Sequence, residues 1–218
     1  MAIVRDRKFL DSDGTVSTKL LFSCIKEHRL EVEARLNKLN DYYEGNHKIL
    51  DRTFKNKNIP NNKIVCNHAE YIADLAVGYV FGVPISYSGE GAEALNINFT
   101  EIDEDSHNNE LALDLSIFGR AYELIYMNSD EKPKIELASL SPIDTFLVVD
   151  NTVKERPMFA VHYYPNITLE NTIKNYTVEI YTESEKLVYE IPTLDGECSI
   201  EKEVDIDEGK PSTAATPS

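Results

Sequence analysis

His107, Glu110 and Asp114 stand at i, i+3 and i+7 in "HNNELALD", a spacing that gathers one imidazole and two carboxylates on a single helical face. Such a set is able to hold a divalent ion. The simpler reading is an exposed acidic helix face, and no metal is expected. "DSDG" at residues 11–14 resembles the opening of a calcium loop, but it lacks a third ligand and the glutamate at the twelfth position. Cys66 and His68 would share a face on a strand, yet at a strand–helix junction they need not, and no residue is at hand to orient the imidazole. G-x-S-x-G and H-E-x-x-H are absent. Acids are so abundant that choosing two for glycoside hydrolysis would be arbitrary. The residues therefore predict no enzyme and no cofactor.

The most apolar stretch, "NNKIVCNHAEYIADLAVGYVFGVPISY" at residues 61–87, carries Gly78 and Gly82 in G-x-x-x-G spacing. A membrane span wants about 20 apolar residues without an unpaired central charge, and Asp74 and Pro84 break that pattern. The phosphate-loop motifs are missing, and these glycines fall at the end of a helix, where carbonyls repel anions. Asn67 caps the helix, and Tyr71, Ile72, Leu75, Ala76, Tyr79 and Val80 form its apolar side. Gly78 permits close packing, while Gly82 and Pro84 stop the helix before a strand or turn. The expectation is a buried helix-to-strand joint.

The elements around these residues follow from periodicity. Ser17 caps a helix of about 26 residues ending near Tyr43, with Leu21, Ile25, Val32, Leu36, Leu39 and Tyr43 on one stripe and Gly45 just beyond its end. A stripe that long needs a partner surface, either this protein's own core or a neighbouring subunit. A third helix covers residues 103–118, with Asp103, Glu104 and Asp105 at its positive end and Gly119 terminating it. From Ala121 the period becomes two: "AYELIYM", "IELASL", "PIDTFLVVD", "PMFAVHYY" and the hairpin "YTVEIYT"/"KLVYEIP" read as strands. The fold class is α+β: a long amphipathic N-terminal helix, two further helices and a mostly antiparallel β region. Residues 1–60 are expected to form a helical arm and linker, 61–200 the core, and 201–218 a disordered low-complexity tail.

With 42% apolar residues the 218-residue chain is able to bury a sizeable core. Its net charge of −16 is uneven: residues 1–60 hold 12 Lys/Arg against 9 Asp/Glu, and residues 61–218 hold 10 against 29. A body so acidic argues against tight binding of nucleic acid. Cys24, Cys66 and Cys198 are odd in number, fit no zinc pattern, and read as reduced thiols in a cytoplasmic setting. The start, "MAIVRDRKFLDSDG", has no apolar leader core, and the sequons at Asn98, Asn166 and Asn175 read as chance matches.

Four strings in order, "YYEGNHKIL", "PNNKIVCNHAEYIADLAVGYVFGVPISY", "DLSIFGRAYELIYM" and "LSPIDTFLVVD", resemble the amino-terminal half of tailed-phage portal proteins of the SPP1 type. The resemblance spans roughly residues 40–192, and its signature positions here are Tyr43, Gly45, Asn62, Asn67, Gly78, Gly82, Pro84, Gly119, Arg120, Tyr122 and Asp150. It implies a wing-like part of a structural subunit that forms rings, as dodecamers when full length, at one capsid vertex of a phage or prophage. Implied partners are other portal subunits, terminase, head-completion and capsid or scaffold proteins, and double-stranded DNA that passes without specific contact during packaging and ejection. Implied locations are the virion and, during assembly, the host cytoplasm, with no membrane contact. Portals are longer, so the expectation is a truncated portal, a fragment or a degraded prophage product. The alternative is a small soluble module that keeps the wing fold and binds a partner through the face of residues 17–43.

Overall fold

In the computed structural model the described residues are 2–10, 16–55, 58, 60–128, 133–183, 185–195 and 202–203. The calcium-loop match at residues 11–14, Cys198 and nearly all of the expected tail lie outside them.

The core is built where period-two strands meet one amphipathic helix. Strands β4 (Thr145–Asp150), β5 (Pro157–Ile167), β6 (Ile173–Tyr181) and β7 (Lys186–Ile191) pair antiparallel in chain order. β8 (Lys202–Glu203) adds to β7, and β1 (Ile3–Arg5) lies parallel to β4 with Ile3 opposite Val148. Alternation along β5 sends Phe159, Val161 and Tyr163 to one face, where Phe146, Val148, Val178, Ile180 and Ile191 join them. Helix α1 (Thr18–Glu31) lays Leu20, Leu21, Phe22, Cys24 and Ile25 on that face. The partner of this stripe is thus the protein's own core.

The expected single α-helix over residues 17–43 is divided. The Ser17 side chain caps α1 at the Leu20 amide. A π turn over Val32–Leu36 follows, and then α2 (Asn37–Tyr43). At the π turn the helix changes partner, from the sheet to a second cluster in which Val32 and Leu36 meet Phe118, Ile117 and Ile143.

That second cluster belongs to a helical layer. α3 (His68–Phe81) packs on α5 (Glu104–Phe118) and α2, and a separate ribbon of β2 (Tyr122–Met127) and β3 (Ile135–Leu140) lies on α5. Among the described residues the two further helices expected are three, because α4 (Ala92–Glu101) stands between α3 and α5. Its Asn98 side chain donates to Ile135 O at 3.0 Å and ties it to the ribbon. Of the strand or turn expected after Gly82, no strand forms: residues 83–88 pair with no strand among the described residues, and Tyr87 donates to the buried Glu104 carboxylate at 2.6 Å.

Candidate functional site

The predicted chemical sets do not converge. His107 is buried and its Nε2 lies 2.8 Å from the Glu123 carboxylate, Glu110 faces solvent, and Asp114 is half-buried. Burial, with Glu110 and Asp144 nearby, pushes the Asp114 carboxyl up to about 6. Among the described residues no group of three or more His, Cys, Asp and Glu is placed to hold a metal ion. Cys66 and His68 are joined by a main-chain hydrogen bond, His68 N–H to Cys66 O at 2.9 Å, with both side chains exposed.

The remaining singled-out positions gather at joints between elements. Tyr43, Gly45 and Asn67 come together where α2 hands over to α3. Gly45 takes φ +80°, and Asn46 N–H closes the helix end on Asp41 O at 2.7 Å. Asn67 Nδ2 donates to Tyr43 O at 2.6 Å while its Oδ1 caps the Glu70 amide. The Tyr43 hydroxyl donates to Asp74 at 3.1 Å. A Cβ at Gly45 would sit 3.3 Å from Asn67 Nδ2, so the glycine serves both its turn and its neighbour. Asn62 lends its carbonyl to the Arg52 guanidinium at 2.8 Å, beside Asn61, which bonds Arg52 through side chain and main chain.

Gly119, Arg120 and Tyr122 form the second joint, against the π turn. Gly119 ends α5 at φ +75°. Arg35 Nη2 donates to Phe118 O at 3.2 Å, while Glu31 receives Arg35 at 3.2 Å and the nearly buried Arg120 at 3.0 Å. The carboxylate between two guanidiniums ends below its ordinary range although burial opposes this. Burial raises the Tyr122 phenol beside them. Asp150 makes the third joint. Its buried carboxylate accepts from the Thr152 amide and hydroxyl, the Arg156 amide and Arg7 Nε, at 3.2, 2.6, 3.0 and 3.0 Å. These donors, led by Thr152, hold it far below the usual carboxylate range. Arg7 thereby ties the segment after β1 to the far end of β4.

A profile of phage portal proteins, SPP1 Gp6-like, matches residues 23–211. The chain belongs to that family. Among curated proteins nothing matches the chain. Membership makes the portal subunit a structural rather than catalytic protein, and implies oligomerisation and the capsid vertex. No helix among the described residues is long and apolar enough to cross a membrane.

Gly78, Gly82 and Pro84 belong to the last feature, α3 of the portal subunit, and here the expectation of burial is overturned. α3 turns Ala73, Val77 and Phe81 inward. Tyr71, Ile72, Leu75, Tyr79 and Val80 stand in solvent, Tyr79 at 90% exposure, and Val83 and Ile85 extend the patch. The polar Asp74 is the residue that meets α2, so the apolar side is the outer one. A Cβ at Gly78 would touch nothing, whereas one at Gly82 would run into the Gly78 carbonyl. Gly78 therefore opens the outward face of α3, and Gly82 shapes its end. The sequence marked Tyr71, Ile72, Leu75, Ala76, Tyr79 and Val80 as the apolar side, but periodicity carried no signal that the rest of the chain leaves that side uncovered.

Proposed function

We propose that this chain acts in a portal ring of a phage or prophage head, the channel through which double-stranded DNA is packaged and ejected, and that ring neighbours meet across the outer face of α3. The observation that carries this reading is the exposed apolar face on a member of an oligomeric family. An uncharged patch of this extent is costly in water and marks a surface that a partner covers. Its lack of charged residues fits a protein partner packed as tightly as a core. The acidic body suits a channel lining that repels DNA weakly at every point and lets it slide. Terminase, head-completion and capsid or scaffold proteins are the further partners of this reading, and residues 61–200 are its wing-like part.

Light scattering on the chain at micromolar concentration tests it. Wild type should run as an assembly of several copies, and Leu75→Glu or Tyr79→Glu should run as a folded monomer with unchanged circular dichroism. Wild type and both variants sharing one monomeric mass would overturn the assignment of α3 as the ring contact.

A further inference from the structure

Between β4 and β5 the chain turns through residues 151–156, and one carboxylate fixes this loop from inside. Asp150 Oδ1 accepts from the Thr152 amide, the Thr152 hydroxyl and the Arg156 amide, while Oδ2 takes Arg7 Nε. The Asp150 N–H in turn donates to Arg156 O at 2.9 Å. A loop held this way is preorganised, so little ordering remains to be done when something meets it. Arg7, Asp150, Thr152, Val153, Lys154 and Arg156 line an open cleft of about 550 Å³. Three cations thus surround one carboxylate whose donors are already in place. Among the described residues the side chains of Lys154 and Arg156 have no hydrogen-bond or ion-pair partner. Glu155, between them, takes φ +44° and does not line the cleft. Val153 stands wholly in solvent.

This loop breaks the charge pattern of its surroundings. Residues 61–218 carry 29 Asp/Glu against 10 Lys/Arg, and the whole chain carries −16. Copies of such a chain repel one another at long range, so an oligomer of them needs cations where copies touch. The family oligomerises, and a partner of matching chemistry is then the acidic body of another copy. Val153 favours protein over a nucleic-acid backbone. A fully exposed branched side chain beside the cations finds apolar cover on a protein surface and none on a row of phosphates. An isologous contact centred on this loop would set Lys154 and Arg156 against themselves. The contact is therefore head-to-tail, the kind that closes a ring.

We propose that the β4–β5 loop is a docking surface between copies of this chain: Lys154 and Arg156, with Arg7 beside them, receive carboxylates of the next copy, and Val153 packs against it. The inference rests on the reading of the chain as a ring subunit, but not on α3 as the seam. The two surfaces belong to different layers, α3 to the helices and this loop to the large sheet.

Sedimentation velocity of the whole chain at about 0.15 M salt tests it, since a Debye length of about 8 Å screens the net charges of two copies more than pairs in contact. Lys154→Glu with Arg156→Glu should weaken self-association about thirtyfold. Lys19→Glu with Lys174→Glu changes the net charge equally at two other exposed positions, and should weaken it by no more than about threefold. All four substitutions are on the surface, and circular dichroism should be unchanged. The loop variant keeps its acidic body and should still accept a wild-type loop, so an equimolar mixture should give short assemblies that the variant ends. Equal association of the loop variant and the control would overturn the proposal; Leu75→Glu alone running as a monomer would then leave α3 as the seam without this loop. A loop variant excluded from wild-type assemblies would overturn the head-to-tail contact. A wild type that stays monomeric would strike both contacts. Retention of a short DNA duplex by wild type but not by the loop variant, with self-association unchanged, would assign the cleft to phosphates and overturn the contact between copies.

Discussion

The helix over residues 18–43 and α3 carry apolar residues at the same helical spacing, and the fold treats them in opposite ways. Leu21, Ile25, Val32 and Leu36 are sealed away, the first two beneath the sheet and the others against Phe118, whereas Tyr71, Ile72, Leu75, Tyr79 and Val80 face water. Hydrophobicity would order them the other way, since α3 is the more apolar of the two. What differs is the surface each meets: the inner face of the sheet is complementary to α1, while α3 rests on its neighbours through Ala73, Val77 and Phe81 and leaves most of its bulky side chains out. Periodicity states that a face needs cover; it does not state which chain supplies the cover. In a family that works as an oligomer the distinction separates folding from assembly.

The sharpest way to break this comparison is to truncate one residue from each helix. Ile25→Ala should lower the urea-derived stability of the subunit by about 3 kcal/mol, the range for a fully buried Ile with a residual cavity. Leu75→Ala should leave it within about 0.5 kcal/mol in dilute solution, as for an exposed position. Equal losses would mean that α3 is covered within the free subunit. A smaller effect comes from Asp150, whose donors come from β4's own loop and from Arg7. Asp150→Asn should reduce the Tm by a few degrees at pH 7. Because the folded carboxyl is held below its ordinary value, that difference is present above about pH 4 and fades as pH falls further, which thermal scans at pH 7 and pH 3 would show.

The glycines sharpen the contrast at the level of about 1 kcal/mol. Gly45→Ala, at φ +80° and against Asn67, should cost about 1 kcal/mol by urea titration. Gly78→Ala should do the reverse: with open space around it in an exposed helix, alanine should add about 0.5–1 kcal/mol to the free subunit. If Gly78 lies at the seam between copies, the same substitution should lower the assembled mass fraction in light scattering. Opposite signs for stability and assembly from one methyl group would mark the seam directly.

Much of this fold was legible because local chemistry specified it. Ser17 and Asn67 cap where an oxygen is needed, Gly45 and Gly119 end helices at positive φ, and strands form between Tyr122 and Ile191 where period two put them, with β5 alternating in burial while β3 and β4 do not. What escaped had no local signature. β1 is three residues long and exists only through a partner some 145 positions away. α4 is ten residues long and its stripe is short, Ala92, Leu95 and Phe99 between Asn and Glu residues, too little to stand out. The π turn preserves the spacing of Val32 and Leu36, so the stripe does not betray it. The candidate site was legible as a set of positions but not as geometry: Glu31 and Arg120 meet only after two layers have packed.

The pairing of Ile3 with Val148 also sets a clock. At ribosomal rates of 5–20 residues per second, roughly seven to thirty seconds separate the synthesis of these two strands. Throughout that interval the amino-terminal segment has no strand to join. Once β4 emerges, its free edge stays open to any neighbouring nascent chain until Ile3–Arg5 closes it. In a family that oligomerises, this short parallel strand closes an edge by which subunits would otherwise pair strand to strand.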